Sequence, residues 1–245
     1  MPEISIKAEE VFRIGSFVIT NALLLSFLSL GVLTLFSFIM RKKLALIPGK
    51  LQGTFELLLE EILTLMDTVL GSRSLSEKYL PLICTIFLFI LTSNWLGLLP
   101  VIGPIGIQGY HHIVPLFRSP ASDLNFTIAL AIISVIGVNL LAVLALGIKK
   151  HFSKFFTLKN PILSFVGILE FISEFVKIIS FSFRLFGNVF AGEVLLVIIG
   201  FLAPYFLPIP FLFLEVFVAF IQAFIFSMLT LVFLAMSTTA HEEAH

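Results

Sequence analysis

The sequence predicts an all-α integral membrane protein with five membrane-crossing helices and one amphipathic surface helix. Hydrophobic residues make up 59% of the 245 residues and charged residues 12%, whereas soluble proteins average about 45–50% and about 25%. Mean hydropathy is +1.13. Long apolar segments recur along the whole chain without an internal repeat or a low-complexity tract. We therefore expect a single membrane domain over residues 1–245.

Five apolar segments predict the spans, since a membrane helix needs about 20 residues. They cover residues 17–40, 80–100, 125–148, 162–203 and 211–236. The first segment is too long for the core of a signal peptide, and its positive charges follow it instead of preceding it. We therefore expect an uncleaved first span, anchored by Arg41, Lys42 and Lys43.

The fourth segment predicts one long, strongly tilted helix over residues 162–203. At about 1.5 Å per residue it would extend about 63 Å, roughly twice the ~30 Å hydrocarbon core. No proline occurs between Pro161 and Pro204, which disfavours a hairpin. Asn160 as cap and Pro161 at the first helical position predict its start. Three prolines in residues 204–210 then predict a turn, after which the C-terminal helix pairs antiparallel with the long one.

Residues 54–70 predict the amphipathic helix. Apolar side chains recur at helical spacing opposite the acidic Glu56, Glu60 and Asp67. Such a helix could lie along the membrane surface or against a partner. A soluble-type helix in a structured loop is equally compatible with this pattern.

The distribution of basic residues predicts the orientation of the chain. Those after the first span are Arg41, Lys42, Lys43, Lys50, Arg73 and Lys78, and those after the third are Lys149, Lys150, Lys154 and Lys159. The N-terminus has only Lys7 and Arg13, and residues 101–124 only Arg118. Because positive loops stay on the cytoplasmic side, we expect the N-terminus outside and the C-terminus in the cytoplasm. A net charge of zero argues against a nucleic-acid partner.

Arg184 is the most informative residue because it lies in the middle of the long apolar helix. A guanidinium at the centre of a membrane helix costs about 2.5–3.5 kcal/mol on insertion scales. Asn188 follows one turn later, and Lys177 and Glu170 precede it at two-turn intervals on the same face. We expect this polar seam to face protein or a water-filled cavity. A structural ion pair that locks helix packing is the alternative.

Two further carboxyl groups lie among apolar neighbours. Glu193 lies on the long helix, where the sequence offers it no ion-pair partner, and Glu215 lies on the last helix. We expect both to be proton-relay groups. Gln222 is seven residues after Glu215 and shares its face. Gln222 could belong to the same relay or could instead form a hydrogen bond between helices.

Other site classes find little support. His111-His112 has no nearby cysteine and no H-E-x-x-H pattern, so no metal site or cofactor is expected. No Gly-x-Ser-x-Gly sequence is present. The single cysteine, Cys84, cannot form an internal disulfide. An intramembrane enzyme with Glu193 or Glu215 as its base would lack a nucleophile or metal set.

Three stretches of the last two helices resemble subunit a of the membrane sector of F-type ATP synthases. They are Arg184-Leu185-Phe186-Gly187-Asn188, Ala191-Gly192-Glu193 and Gln222-Ala223-Phe224-Ile225-Phe226. Supporting features are Asn94 before Leu98-Leu99-Pro100, the run Ser119-Pro120-Ala121-Ser122-Asp123-Leu124-Asn125, and Glu170 before Arg184. The first 40 residues match only in outline.

The resemblance implies a stator subunit that conducts protons to a rotating ring of small hydrophobic subunits (the c-ring). The other implied partners are the peripheral stalk subunit b and the rest of the ATP synthase, and the implied location is the inner membrane of a bacterium. Arg184 would face the ring, Glu193, Glu215, Asn188 and Gln222 would line the access path, Asp123 and Asn125 would lie near its outer mouth, and Asn94, Glu170 and Lys177 would be supporting polar residues. Many relatives have histidine at one relay position, whereas this chain has two glutamates.

The rival interpretation is a secondary transporter that binds a substrate anion at Arg184. A transporter would move its substrate as an isolated chain. A stator would work only with a ring of partner subunits.

Overall fold

The computed structural model describes residues 8–42, 44–99, 106–108, 113–153 and 161–239. The expected helix cap Asn160 and the pair His111-His112 lie outside these ranges. In chain order, the elements are β1 (Glu10–Ile14), β2 (Phe17–Thr20), α1 (Asn21–Lys42), α2 (Lys50–Leu70), α3 (Arg73–Leu98), β3 (Gly106–Gln108), β4 (Ile113–Pro115), a 3₁₀ turn (Pro120–Ser122), α4 (Leu124–Leu146), α5 (Ile148–Ser153), α6 (Pro161–Leu202) and α7 (Pro208–Thr239).

The predicted class is confirmed. Within the described ranges, α1, α3, α4, α6 and α7 are long and apolar enough to cross a membrane. Two short antiparallel hairpins, β1–β2 and β3–β4, add strands that the sequence did not predict. Both precede a membrane-crossing helix, so they lie at the ends of the helical bundle.

The first span starts later than predicted. Residues 17–20 form strand β2 rather than the beginning of the helix. Thr20 caps α1 by accepting a hydrogen bond from the Leu23 backbone at 3.3 Å. The buried Asn21 side chain accepts from the Glu9 backbone at 3.3 Å and donates to the Pro115 carbonyl at 3.3 Å. Capping and these tertiary bonds explain why the apolar run does not become helical at Phe17.

The amphipathic helix is confirmed as α2, which starts at Lys50 rather than residue 54. Its buried face includes Ile62, Met66 and Leu70, which join a core cluster with residues of α3. Gly71 ends the helix with φ of 69°, a left-handed conformation that favours glycine. The helix is thus docked on a membrane-crossing helix, and its position relative to the bilayer stays a prediction.

Helix α6 is continuous over 42 residues, as predicted from its lack of proline. Residues 203–207 turn the chain into α7, which packs against it. Gly192 on α6 lies opposite Glu215, and Phe181 contacts Phe226 with ring centroids 4.7 Å apart. Phe181 precedes Gly192 by eleven residues on α6, and Phe226 follows Glu215 by eleven residues on α7. The two helices therefore run in opposite directions, which confirms the antiparallel pairing.

The core lies among α3, α4, α6 and α7. In α3, 44% of the best spanning window is buried, against 11% in α1. Helix α1 is therefore a peripheral helix, and most of its side chains face away from the fold. The central helices α3, α6 and α7 form the walls of the cavity described next.

Candidate proton-relay site

A cavity of about 280 Å³ lies between α3, α6, α7 and the segment that leads into the 3₁₀ turn. Its lining combines apolar side chains with five polar ones. These five are Asn94, Arg118, Ser119, Glu193 and Glu215. The two predicted relay acids are thus brought to one site, together with Asn94.

Glu193 is ion-paired, contrary to the sequence-based expectation of an unpaired carboxylate. Nε of Arg118 lies 3.0 Å from Glu193 Oε1 and donates a hydrogen bond to Oε2 at 3.2 Å. The Arg118 side chain is 9% exposed and that of Glu193 35%. The guanidinium also lies 6.0 Å from the centroid of the Phe190 ring. A loop residue 75 positions away thus supplies a cation that the helix sequence lacks.

Glu215 is buried, with 8% of the residue exposed. Its carboxyl group packs directly on the backbone of Gly192, where the Cβ of any other residue would occupy the same space. No ion pair to Glu215 occurs within the part of the chain that the structure describes. The two acids of the cavity therefore differ, because only Glu193 has a cationic partner.

Asn94 gives the cavity further polar character. Its side-chain Nδ2 and Oδ1 are buried without a hydrogen-bond partner among the described residues, as is Ser119 Oγ. Buried polar groups of this kind normally bind water. The cavity far exceeds the ~30 Å³ that one water molecule takes in the liquid. A hydrated path along Asn94 is consistent with this geometry.

Arg184 and Asn188 lie outside the cavity, on an exposed face of α6. Asn188 Nδ2 donates to the Arg184 carbonyl at 2.9 Å. In the described part of the chain, the Arg184 guanidinium forms no ion pair. A nine-residue separation at 100° per residue places Arg184 and Glu193 on opposite sides of the helix. The structural ion pair considered as the alternative for Arg184 is not formed among the residues that the structure describes.

Lys177 belongs to a different environment from Arg184. Its Nζ pairs with Glu174 Oε1 at 2.8 Å and lies 4.7 Å from the Phe233 ring centroid. Glu174 Oε2 accepts a hydrogen bond from Asn139 Nδ2 at 3.0 Å, and Asn139 Oδ1 contacts His151 Nε2 at 3.0 Å. The predicted seam is therefore divided, since Lys177 packs between α4 and α7, and Arg184 does not. Glu170 is half-buried on the same helix.

The remaining predicted site residues lie apart from the cavity lining. Asp123 Oδ1 accepts hydrogen bonds from the Asn125 backbone at 2.9 Å and from its side chain at 3.2 Å, which caps α4. Gln222 is 9% exposed on α7, and its side chain forms no hydrogen bond to another described residue. No group of three or more metal-binding side chains occurs in the described ranges.

Sequence reasoning missed Arg118, Glu174, Asn139 and His151 as interacting polar residues. One available signal was that Arg118 is the only basic residue in residues 101–124. Its pairing with Glu193 could not be read from spacing, because the two residues are joined only by the tertiary fold.

Comparisons with known proteins agree with this architecture. The family model of the ATP synthase A chain matches residues 23–235. ATP synthase subunit a of Campylobacter concisus is 34% identical over 214 residues, which cover 87% of this chain and 88% of the relative. Subunit a of Campylobacter fetus is 35% identical over 82% of this chain and 83% of the relative, and that of Campylobacter jejuni is 34% identical over 83% of each. This chain belongs to the ATP synthase A chain family.

Proposed function

We propose that this chain is the stator subunit of a rotary ATP synthase and forms the proton half-channels against a rotating c-ring. One observation carries the proposal: α6 presents Arg184 on an exposed face and Glu193 to a cavity between the helices. The same helix thus carries a permanent cation that a partner could contact and an acidic residue that cavity water could reach. ATP synthesis itself would take place on other subunits of the complex.

The chemistry of the exposed face fits a ring whose subunits each carry one carboxyl group. Such a group crosses apolar surroundings most easily when protonated, and a nearby cation favours its ionised form. Arg184 would therefore make each ring carboxyl release its proton at one angular position. Because a guanidinium does not lose its own proton, it also interrupts a continuous proton path between the two sides.

The cavity would provide one access path. Glu193 and Glu215 would form the acidic site of this path beside Asn94 and cavity water, while Asn188 and Gln222 would lie towards the ring. Asp123 and Asn125 would act near the outer mouth by fixing the start of α4. Glu170 and Lys177 would support the part of α6 that precedes Arg184.

The implied partners are the c-ring, the peripheral stalk subunit b, the rest of the ATP synthase and the surrounding lipid, without nucleic acid. Large exposed apolar side chains on α6, among them Phe175, Ile179 and Phe183, support a membrane or protein environment around this helix. Since the relatives compared above are bacterial, we assign the chain to the inner membrane of a bacterium. The N-terminus would lie outside and the C-terminus in the cytoplasm.

Cross-linking within the purified complex tests the assignment to the ring. Asn188→Cys, in a Cys84→Ala background, should attach a photoreactive maleimide that cross-links to a small hydrophobic ring subunit. Ile133→Cys is the matched control, because Ile133 is 61% exposed on a different membrane-crossing helix, α4. We expect ring adducts, analysed by mass spectrometry, only from Asn188→Cys. Purification of the chain without a ring, together with solute uptake by the chain alone, would instead establish the transporter.

Thiol labelling of intact cells tests the orientation. In the Cys84→Ala background, Ser16→Cys should react with an impermeant maleimide added outside, since residue 16 is exposed before α1. Leu46→Cys and Lys149→Cys, at exposed positions beyond α1 and α4, should react only after the cells are opened. The reverse labelling pattern would refute the orientation assigned from the basic residues.

A further inference from the structure

The cavity contains three charged side chains, and they are unevenly paired. Among its described lining residues, Arg118 comes from the loop, Glu193 from α6 and Glu215 from α7, whereas α3 contributes the neutral Asn94. Arg118 lies within 3.2 Å of both carboxylate oxygens of Glu193. Glu215 faces the Gly192 backbone instead. The site therefore combines one compensated acid and one acid without a cation.

Arg118 and Glu193 form an ion pair at one side of the cavity. Since a guanidinium keeps its proton, this pair retains its cation, and the positive charge of Arg118 offsets the negative charge of the Glu193 carboxylate. Glu215 then exchanges its proton beside a neutral pair rather than beside a lone anion.

We propose that Arg118 is a positioning residue that holds the Glu193 carboxylate in an ion pair, so that Glu215 is the group of this cavity that takes up and releases the proton. The inference rests on the proposed function and deepens it. Arg118 acts through Glu193 and does not itself transfer the proton. The proton passes between cavity water and one Glu215 carboxylate oxygen, and no covalent bond other than the O–H bond forms or breaks.

The proposal predicts charge-balanced rescue. Arg118→Gln leaves Glu193 without its cation, and Glu193→Gln leaves a nearly buried cation beside Glu215. Either change places an uncompensated charge in the cavity. Arg118→Gln combined with Glu193→Gln removes both charges and leaves Glu215 in a neutral site. Conduction should therefore be impaired in both single variants and restored in the double variant.

The measurement is passive proton flux through the membrane sector of the assembled complex in vesicles, recorded across a range of pH. We expect each single variant to conduct about tenfold less than the wild type and with an altered pH profile. The double variant should conduct within about threefold of the wild type, with the wild-type profile. Arg118→Lys should retain most of the flux near neutral pH because it keeps a cation at the site. Arg118→Gln combined with Glu215→Gln is the matched control and should stay at background.

Three results would overturn the role of Arg118. They are an unchanged flux and pH profile in Arg118→Gln, a double variant no better than its worse single variant, and failure of the double variant to assemble. The last would make the ion pair a purely structural link between the loop and α6. Different results would contradict the proposed function itself. Wild-type flux in Glu215→Gln, or coupled synthesis in Arg184→Ala, would reject the relay independently of the role of Arg118.

Discussion

Arg184→Ala should abolish ATP-linked proton pumping while the complex still assembles. The side chain is exposed and forms no ion pair within the described part of the chain, so its loss should not disturb the fold. Truncating one partner of a desolvated charge pair costs about 2–5 kcal/mol. Ionisation of the facing ring carboxyl should therefore fall by roughly 30-fold to several thousand-fold. ATP-driven acidification of vesicles measures the effect, and co-purification of the ring confirms assembly.

Arg184→Lys tests whether the positive charge at this position must be permanent. A lysine loses its proton more readily than an arginine when it is desolvated, so it should restore coupling poorly. Phe201→Ala is a suitable control, because it truncates a 65% exposed side chain on the same helix and leaves the charge unchanged. Normal coupled synthesis in Arg184→Ala would rule out the proposed role of the guanidinium.

Glu215→Gln should lower passive proton conduction through the membrane sector by about tenfold or more. Glutamine keeps the volume and much of the hydrogen bonding of the buried side chain, but it cannot take up and release a proton. Glu193→Gln should also lower the flux, and the double substitution should be far from additive because the two acids share one cavity. Flux measured across a range of pH should show that the titration step is lost in Glu215→Gln.

Gly192→Ala tests the same site from the opposite helix. The added Cβ would take the space that the Glu215 carboxyl occupies, so we expect a loss of flux in the same direction as in Glu215→Gln. Gly200→Ala is the matched control on α6, because a Cβ there has no neighbouring atom within 4 Å. An unchanged flux and pH profile in the double variant of Glu193 and Glu215 would assign both carboxyl groups a structural role.

The helices could be predicted because their signals are local. Apolar runs of sufficient length define α1, α3, α4 and α7, and the absence of proline defines the unbroken α6. The predicted start of α1 was wrong by four residues because hydrophobicity does not distinguish a strand from a helix in residues 17–20. The observed start of the helix is determined by Thr20 and by the tertiary hydrogen bonds of Asn21, which no local pattern reveals.

The candidate site was only partly predictable. Arg184, Glu193 and Glu215 stand out because ionisable groups are rare in apolar helices. Their environments cannot be predicted from that rarity. Arg184 is exposed, Glu193 is ion-paired and Glu215 is packed on a glycine. The pair between Arg118 and Glu193 and the contacts of Glu174 with Asn139 arise where distant segments meet. Only the fold determines which charges are neighbours.

The length of α6 also determines how membrane voltage acts on the site. A helix of about 63 Å fits within a ~30 Å hydrocarbon core only when it is tilted by about 60°. The nine residues between Arg184 and Glu193 then span about 6 Å of depth instead of about 13.5 Å along the axis. Moving one charge across the whole membrane at 100 mV changes its free energy by about 2.3 kcal/mol. A depth of about 6 Å is about a fifth of the core, so a charge that moves this far gains only about 0.5 kcal/mol. The electrical driving force would act mainly along the entry and exit paths, and the step between the cavity and the ring would be nearly independent of voltage.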